Sequence, residues 1–205
     1  MFSEKDRSEL TPDKVIDILR RGNDDFINNR LTVKNTIARV RNAASGQYPV
    51  AAILSCLDSR VPVEDIFHCG IGDVFVARVA GNIVNPDILG SMEIACKIFG
   101  AKLIVVLGHG NCGAIRLTID QTEAGNITGL LNNIKPAVVQ CKMNFTGETN
   151  SFNPVFVDAV CRINVELMIK KIRGNSSILK EMEDQGKIKI VGGIYAINSG
   201  KVDFF

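Results

Sequence analysis

The chain has 205 residues, enough for one domain with a sizeable core. Its hydrophobic fraction of 46% is ordinary for a globular protein, and Lys+Arg 24 against Asp+Glu 22 leaves a net charge of +2. That balance removes any electrostatic case for nucleic acid or an anionic membrane as partner.

The stretch from Glu4 through Glu9 is charged and holds no apolar signal core, and no later run approaches a membrane span. A cytoplasmic protein is expected. Its six cysteines should then be thiols rather than a disulfide framework. Of these, Cys96, Cys141 and Cys161 lie in apolar helical stretches and read as small core residues.

Thr11-Pro12 is a helix start, with Thr as N-cap and Pro in the first turn. Val15, Leu19 and Phe26 follow at helical spacing. Thr32 can cap a second helix, whose apolar stripe is Val33, Ile37, Val40 and Ala44 and whose stop is Gly46. Residues 1–46 thus form an N-terminal helical arm that packs on its own domain or on a partner subunit, within a single domain of 1–205. Two strands are expected at Val50–Leu54 and Val74–Val79, then a helix from Asn85-Pro86 to Gly100. Leu103–Leu107 is a third strand, followed by a helix from Cys112. A polar stretch, Thr122–Thr128, precedes a helical pattern over Leu130–Cys141, and Asn144–Asn153 reads as a loop. Asn153-Pro154 opens a helix that stops at Gly174, and Ser176 or Ser177 opens another that stops at Gly186. Lys187–Gly192 is a strand, with a terminal strand or hairpin in Gly193–Phe205. Strands alternating with helices indicate an α/β fold, a mostly parallel sheet flanked by helices.

Two short stretches carry chemistry. Ser55-Cys56-Leu57-Asp58-Ser59-Arg60 follows the first strand, and Gly108-His109-Gly110-Asn111-Cys112-Gly113 follows the third. Alternate residues of an extended segment share a side, so Cys56, Asp58 and Arg60 can converge. His109 and Cys112, three apart, can share a face. Two thiols, one imidazole and one carboxylate make a donor set that suits zinc. Zinc with two thiolates is formally neutral; adding Asp58 gives one excess negative charge and closes the coordination. Arg60 can draw Asp58 away through a bidentate pair, leaving a position for water, whose pKa zinc lowers to about 7 in the best-known catalytic sites. The alternative is a structural zinc with four protein ligands, for which a carboxylate beside an arginine is an odd choice.

Cys56-x-Asp58-x-Arg60 with His109-x-x-Cys112, and the run Gly72–Asn82 between them, resembles the beta-class carbonic anhydrases. The resemblance implies zinc-dependent interconversion of carbon dioxide and bicarbonate by a homodimer or a dimer-based tetramer. It implies Cys56, His109 and Cys112 as permanent ligands, with Asp58 and Arg60 as the dyad that orients a zinc-bound hydroxide. Gln47 falls where the family places a glutamine that donates to the substrate oxygen, and Phe75 and Ala80 where apolar side chains line the pocket. Two features depart from the pattern. Ile94 stands near a position that some members fill with tyrosine. Ile53 stands where others have a tryptophan of a regulatory bicarbonate site, although Arg78 and Tyr195 resemble other members of that site. Arg78 itself reads as a structural ion pair near the dimer contact. His68 reads as a surface or interface histidine ahead of a proton shuttle.

Other readings compete. Gly108-x-Gly110-x-x-Gly113 matches the dinucleotide fingerprint of an oxidoreductase, but the sequence about 20 residues on, Thr128-Gly129-Leu130-Leu131, offers neither the acid nor the strand that the fingerprint expects. A hydrolase of another linear heterocumulene, carbon disulfide or carbonyl sulfide, would use the same ligands. A non-catalytic member would have little use for Asp58, Arg60 and Gln47.

Overall fold

Alternate residues of the central strands feed two separate cores. The computed structural model describes residues 2–205. Five strands form one sheet in the order β2-β1-β3-β4-β5: β1 (Ala51–Ser55), β2 (Val74–Arg78), β3 (Leu103–His109), β4 (Lys189–Tyr195) and β5 (Val202–Phe204). The first four run parallel and β5 pairs antiparallel to β4. On one face Ala52, Leu54, Ile104 and Val106 pack in the larger core; on the other Ala51, Ile53, Leu103, Val105 and Leu107 pack in the smaller. Burial on both faces is why the strands read as continuous apolar runs instead of alternating ones.

Ten α-helices surround this sheet among the described residues. α1 (Glu4–Glu9) was not visible behind its charges, yet a capping box closes it: Asp6 N donates to Ser3 Oγ (3.2 Å) and Ser3 N to Asp6 Oδ2 (2.9 Å). α2 (Pro12–Ile27), capped by Thr11 as expected, buries Val15 and Leu19 in the smaller core of its own chain. α3 (Ile37–Ala43) differs from expectation. Its cap is Thr36, whose hydroxyl accepts from Arg39 N (3.3 Å); Thr32 instead faces His68, with its own hydroxyl 3.2 Å from Nε2 and the Thr32 and Val33 N–H groups donating to that nitrogen (2.8 and 3.1 Å).

α4 (Val63–Ile66) and α5 (Pro86–Glu93) follow, the latter running on as a π turn over Ile94–Ile98 before Gly100 (φ +74) stops it. α6 (Gly113–Ile119) starts directly after Cys112. The pattern over Leu130–Cys141 splits into α7 (Gly125–Leu131) and α8 (Lys135–Asn144). Pro136 explains the split, since it lacks an N–H and clashes with the preceding turn except near a helix start. α9 (Pro154–Asn175), capped by Asn153, is the long helix of the larger core, and α10 (Ser177–Asp184) is capped by Ser176. No helix among the described residues is long and apolar enough to cross a membrane.

Strand order decides where a site can form. β1 leads to β2 on one side, and β3 leads to β4 on the other. The loops after β1 and β3 therefore diverge, and a crevice opens at the carboxyl ends of this adjacent pair.

Candidate metal centre

That crevice holds both motif loops. Cys56 follows β1, His109 ends β3 and Cys112 is the residue before α6. Their side-chain donor atoms all lie within 4.8 Å of one another, and all three residues are buried. The two sulfurs are 4.0 Å apart; two thiolates on one tetrahedral zinc would be roughly 3.8 Å apart. His109 Nδ1 lies 2.9 Å from the Gly110 carbonyl, a contact that requires the proton on Nδ1. Nε2 is left with its lone pair, fully buried and without a hydrogen-bond partner among the described residues. A buried imidazole nitrogen beside two thiols is what a soft divalent metal would satisfy, so the residues fit the ion that the sequence implies.

Without a cation the two thiols share a proton. Cys56 is pulled down, first by its bond with Cys112 and then by the Asp58 and Gly81 N–H groups, against the cost of burial. The same bond, with burial, pushes Cys112 up. Cys69, Cys96 and Cys161 are pushed up to about 12 by burial and stay protonated.

Asp58 is held apart from this trio. Arg60 grips it with Nε on Oδ1 (2.9 Å) and a terminal nitrogen on Oδ2 (2.7 Å), and the Arg60 backbone N–H adds a third bond to Oδ1 (3.0 Å). The Arg60 guanidinium keeps the Asp58 carboxyl well below the usual carboxylate range. Asp58 Oδ2 nevertheless faces the centre, 3.9 Å from His109 Nε2.

The other expected residues scatter. Ala80 opens a 3-10 turn whose next residue, Gly81, donates its N–H to Cys56 Sγ (3.3 Å). Phe75, on edge strand β2, lies edge-to-face on Phe99 and lines an apolar cavity of about 440 Å³ with Ile88, Met92, Ile94 and Ala95. Gln47 is exposed and precedes β1, at the opposite end of the sheet from the loops. Its neighbour Tyr48 sits under Arg7, which also reaches the Phe99 carbonyl near the start of β3.

Several supporting residues carried no motif. Arg78 forms no ion pair among the described residues: Nε donates to the Cys56 carbonyl (3.0 Å) and a terminal nitrogen to the Asp58 carbonyl, clamping the first loop from β2. Tyr195 and Ile53 are buried in the smaller core. Asp158 Oδ1 accepts from Asn111 N (3.1 Å), so a carboxylate occupies the loop N–H that a pyrophosphate would need. Cys161, read as a core thiol, donates to the His109 carbonyl (3.2 Å). Gly108 is required by this packing, because a Cβ there would meet Cys161 Sγ and Val165 at 2.8 Å. His68 is structural: Nδ1 pairs with Asp25 (3.0 Å) while Nε2 accepts from Thr32 and Val33.

Comparison with known proteins gives this geometry a family. The chain is 31% identical over 189 residues to carbonic anhydrase 2 of Mycobacterium tuberculosis, covering 89% of this chain and 87% of that one. Over 69 residues, 34% of each chain, it is 41% identical to a carbon disulfide hydrolase of Saccharolobus solfataricus. Its fold superposes with a TM-score of 0.73 on a tetrameric beta-carbonic anhydrase of Sordaria macrospora, at 25% identity, over 81% of this chain and 85% of that one. The carbonic anhydrase family model matches residues 51–202, from the first residue of β1 to the first of β5. With that match enclosing both ligand loops and the sheet that brings them together, the chain belongs to the beta-class carbonic anhydrases and is an enzyme of that family.

Proposed function

We propose that the protein catalyses the reversible hydration of carbon dioxide to bicarbonate and a proton at one zinc ion held by Cys56, His109 and Cys112. The observation that carries this is the buried, unpartnered His109 Nε2 facing two thiols while Arg60 holds the one nearby carboxylate aside. Zinc would supply Lewis acidity, lowering the pKa of a water in its fourth position toward neutrality.

The chain's own groups supply the rest. Because Arg60 keeps Asp58 ionised, Asp58 can accept a hydrogen bond at Oδ2 but not deliver a proton at working pH. An acceptor fixed in that way orients the attacking oxygen by its O–H and leaves a lone pair free. Arg78 holds the Cys56 and Asp58 carbonyls, so the first loop does not have to reorganise during turnover. Phe75 and Ala80 would offer apolar wall to a neutral, poorly hydrated substrate. Gln47 lies too far along its own sheet to serve its own site and would donate to substrate in the site of a second copy, in a homodimer or a dimer-based tetramer. A cytoplasmic setting, where the thiols stay reduced, belongs to the same proposal.

The test is metal content with stopped-flow hydration of carbon dioxide. About one zinc per chain is expected from a single site of this donor set. Hydration should collapse in Cys56→Ser, and a zinc-loaded wild type inert at every pH would overturn the proposal. A second reading, hydrolysis of carbon disulfide, is favoured by the 41% identity to the archaeal hydrolase over 69 residues. Release of hydrogen sulfide from carbon disulfide, faster than hydration of carbon dioxide, would establish it instead.

A further inference from the structure

Helix α9 turns one row of residues toward the ligand loops. Asp158, Cys161, Asn164 and Met168 recur every three or four positions and so share a face. Besides the Asp158 and Cys161 contacts described above, Asn164 Nδ2 donates to the Gly81 carbonyl (2.9 Å) and Met168 Sδ accepts from Val84 N (3.1 Å). The helix is otherwise hydrocarbon where it is buried, through Phe156, Val157, Val160, Val165, Ile169 and Ile172.

Asn164 is the least economical member of that row. It is 0% exposed, and its carbonyl oxygen has no hydrogen-bond partner among the described residues. Burying an unpartnered amide oxygen is destabilising, and a leucine of similar size would avoid it. What leucine lacks is the N–H on the Gly81 carbonyl. Gly81 holds φ +66, and a Cβ there would lie 2.5 Å from Ile134 Cδ1, so Gly81 has no side chain of its own to fix its peptide. Its N–H is the one that reaches Cys56 Sγ at 3.3 Å.

We propose that Asn164 is a positioning residue of the metal centre: by holding the Gly81 carbonyl it keeps the Gly81 N–H on the Cys56 sulfur. It thereby sets how strongly that sulfur donates to the ion. The proposal rests on the reading of Cys56, His109 and Cys112 as a metal site. An N–H bonded to a thiolate draws off electron density and fixes the sulfur in place; without it the ligand is more donating and less well placed. Asn164 itself touches neither metal nor substrate.

Cobalt(II) titration of the wild type, Asn164→Leu, Asn164→Ser and Val160→Ala tests this through the thiolate-to-cobalt charge-transfer band and through affinity in chelator competition. Val160 packs on the same helix in the same core and makes no loop contact of this kind, so it controls for general loosening. In both Asn164 variants the band should move to longer wavelength and affinity should fall about 10–100-fold. Val160→Ala should keep the wild-type band and affinity even if it melts at lower temperature. A folded Asn164→Leu with wild-type band and affinity would overturn the proposal, as would an equal change in Val160→Ala; Asn164→Ser decides if the leucine variant does not fold. A wild type with no thiolate band would overturn the metal reading and this proposal with it.

Discussion

Asp58 is a carboxylate that Arg60 holds in place and keeps ionised until well below the usual carboxylate range. Three bonds of 2.7–3.0 Å come from one arginine, two of them in the parallel arrangement that a guanidinium fits best. Asp58→Ala should therefore keep its metal and lose about 10²-fold in turnover, since it removes an orienting acceptor and no ligand of the trio. Metal content measured beside stopped-flow rates checks both halves. The pair also has a signature in stability. A depressed carboxyl stabilises the fold fully above its unfolded value, about 3.9, and the contribution is lost as pH falls through the lower folded value. In the metal-free protein the stability gap between wild type and Asp58→Ala should stay constant down to about pH 4 and close below it. Urea titrations at several pH values would show this. That Cys56, His109 and Cys112 meet, with Asp58 paired to Arg60 beside them, was legible because cysteine, histidine and an Asp-x-Arg spacing carry their chemistry in their names. Arg78, Asp158 and Asn164 were not, because each acts on a backbone group, and a backbone group has no letter in the sequence.

Helix starts were legible where a cap and a proline coincide, as at Thr11-Pro12, Asn85-Pro86 and Asn153-Pro154. They were misplaced where a distant group held the capping residue in another conformation. Thr32 has the side chain for a cap, yet its N–H, with that of Val33, goes to His68, which is brought there by the turn after α4. His68 is thus a tie between the arm and the body of the chain. Deleting it as His68→Ala frees two N–H groups in exposed backbone, which water can solvate. The loss should be on the order of 1–2 kcal/mol in total, with turnover per folded site unchanged. Denaturant unfolding and hydration rates together decide this. A fall in rate without a fall in stability would make His68 a proton carrier instead.

At the scale of the molecule, β1 separates two things that the proposed chemistry needs together. The strand's five residues carry the chain roughly 16 Å, from the end near Gln47 to the loop of Cys56. A glutamine on the far side of that strand can take part only if a second copy brings its own. The arm has a surface suited to such a copy: α3 buries no residue, and Ile37 and Val40 are 66% and 46% exposed. Mixed assemblies test the arrangement directly. Gln47→Ala alone should leave metal bound and hydration slow, and Cys56→Ser alone should leave no working centre. In a mixed dimer the Gln47→Ala subunit keeps its ligands and receives the glutamine of the Cys56→Ser subunit, so one of the two sites is whole. Half the dimers in a statistical mixture are mixed, so about a quarter of all sites should regain wild-type turnover. If Gln47 served its own chain, mixing would restore nothing, because every subunit would still lack either the glutamine or the sulfur.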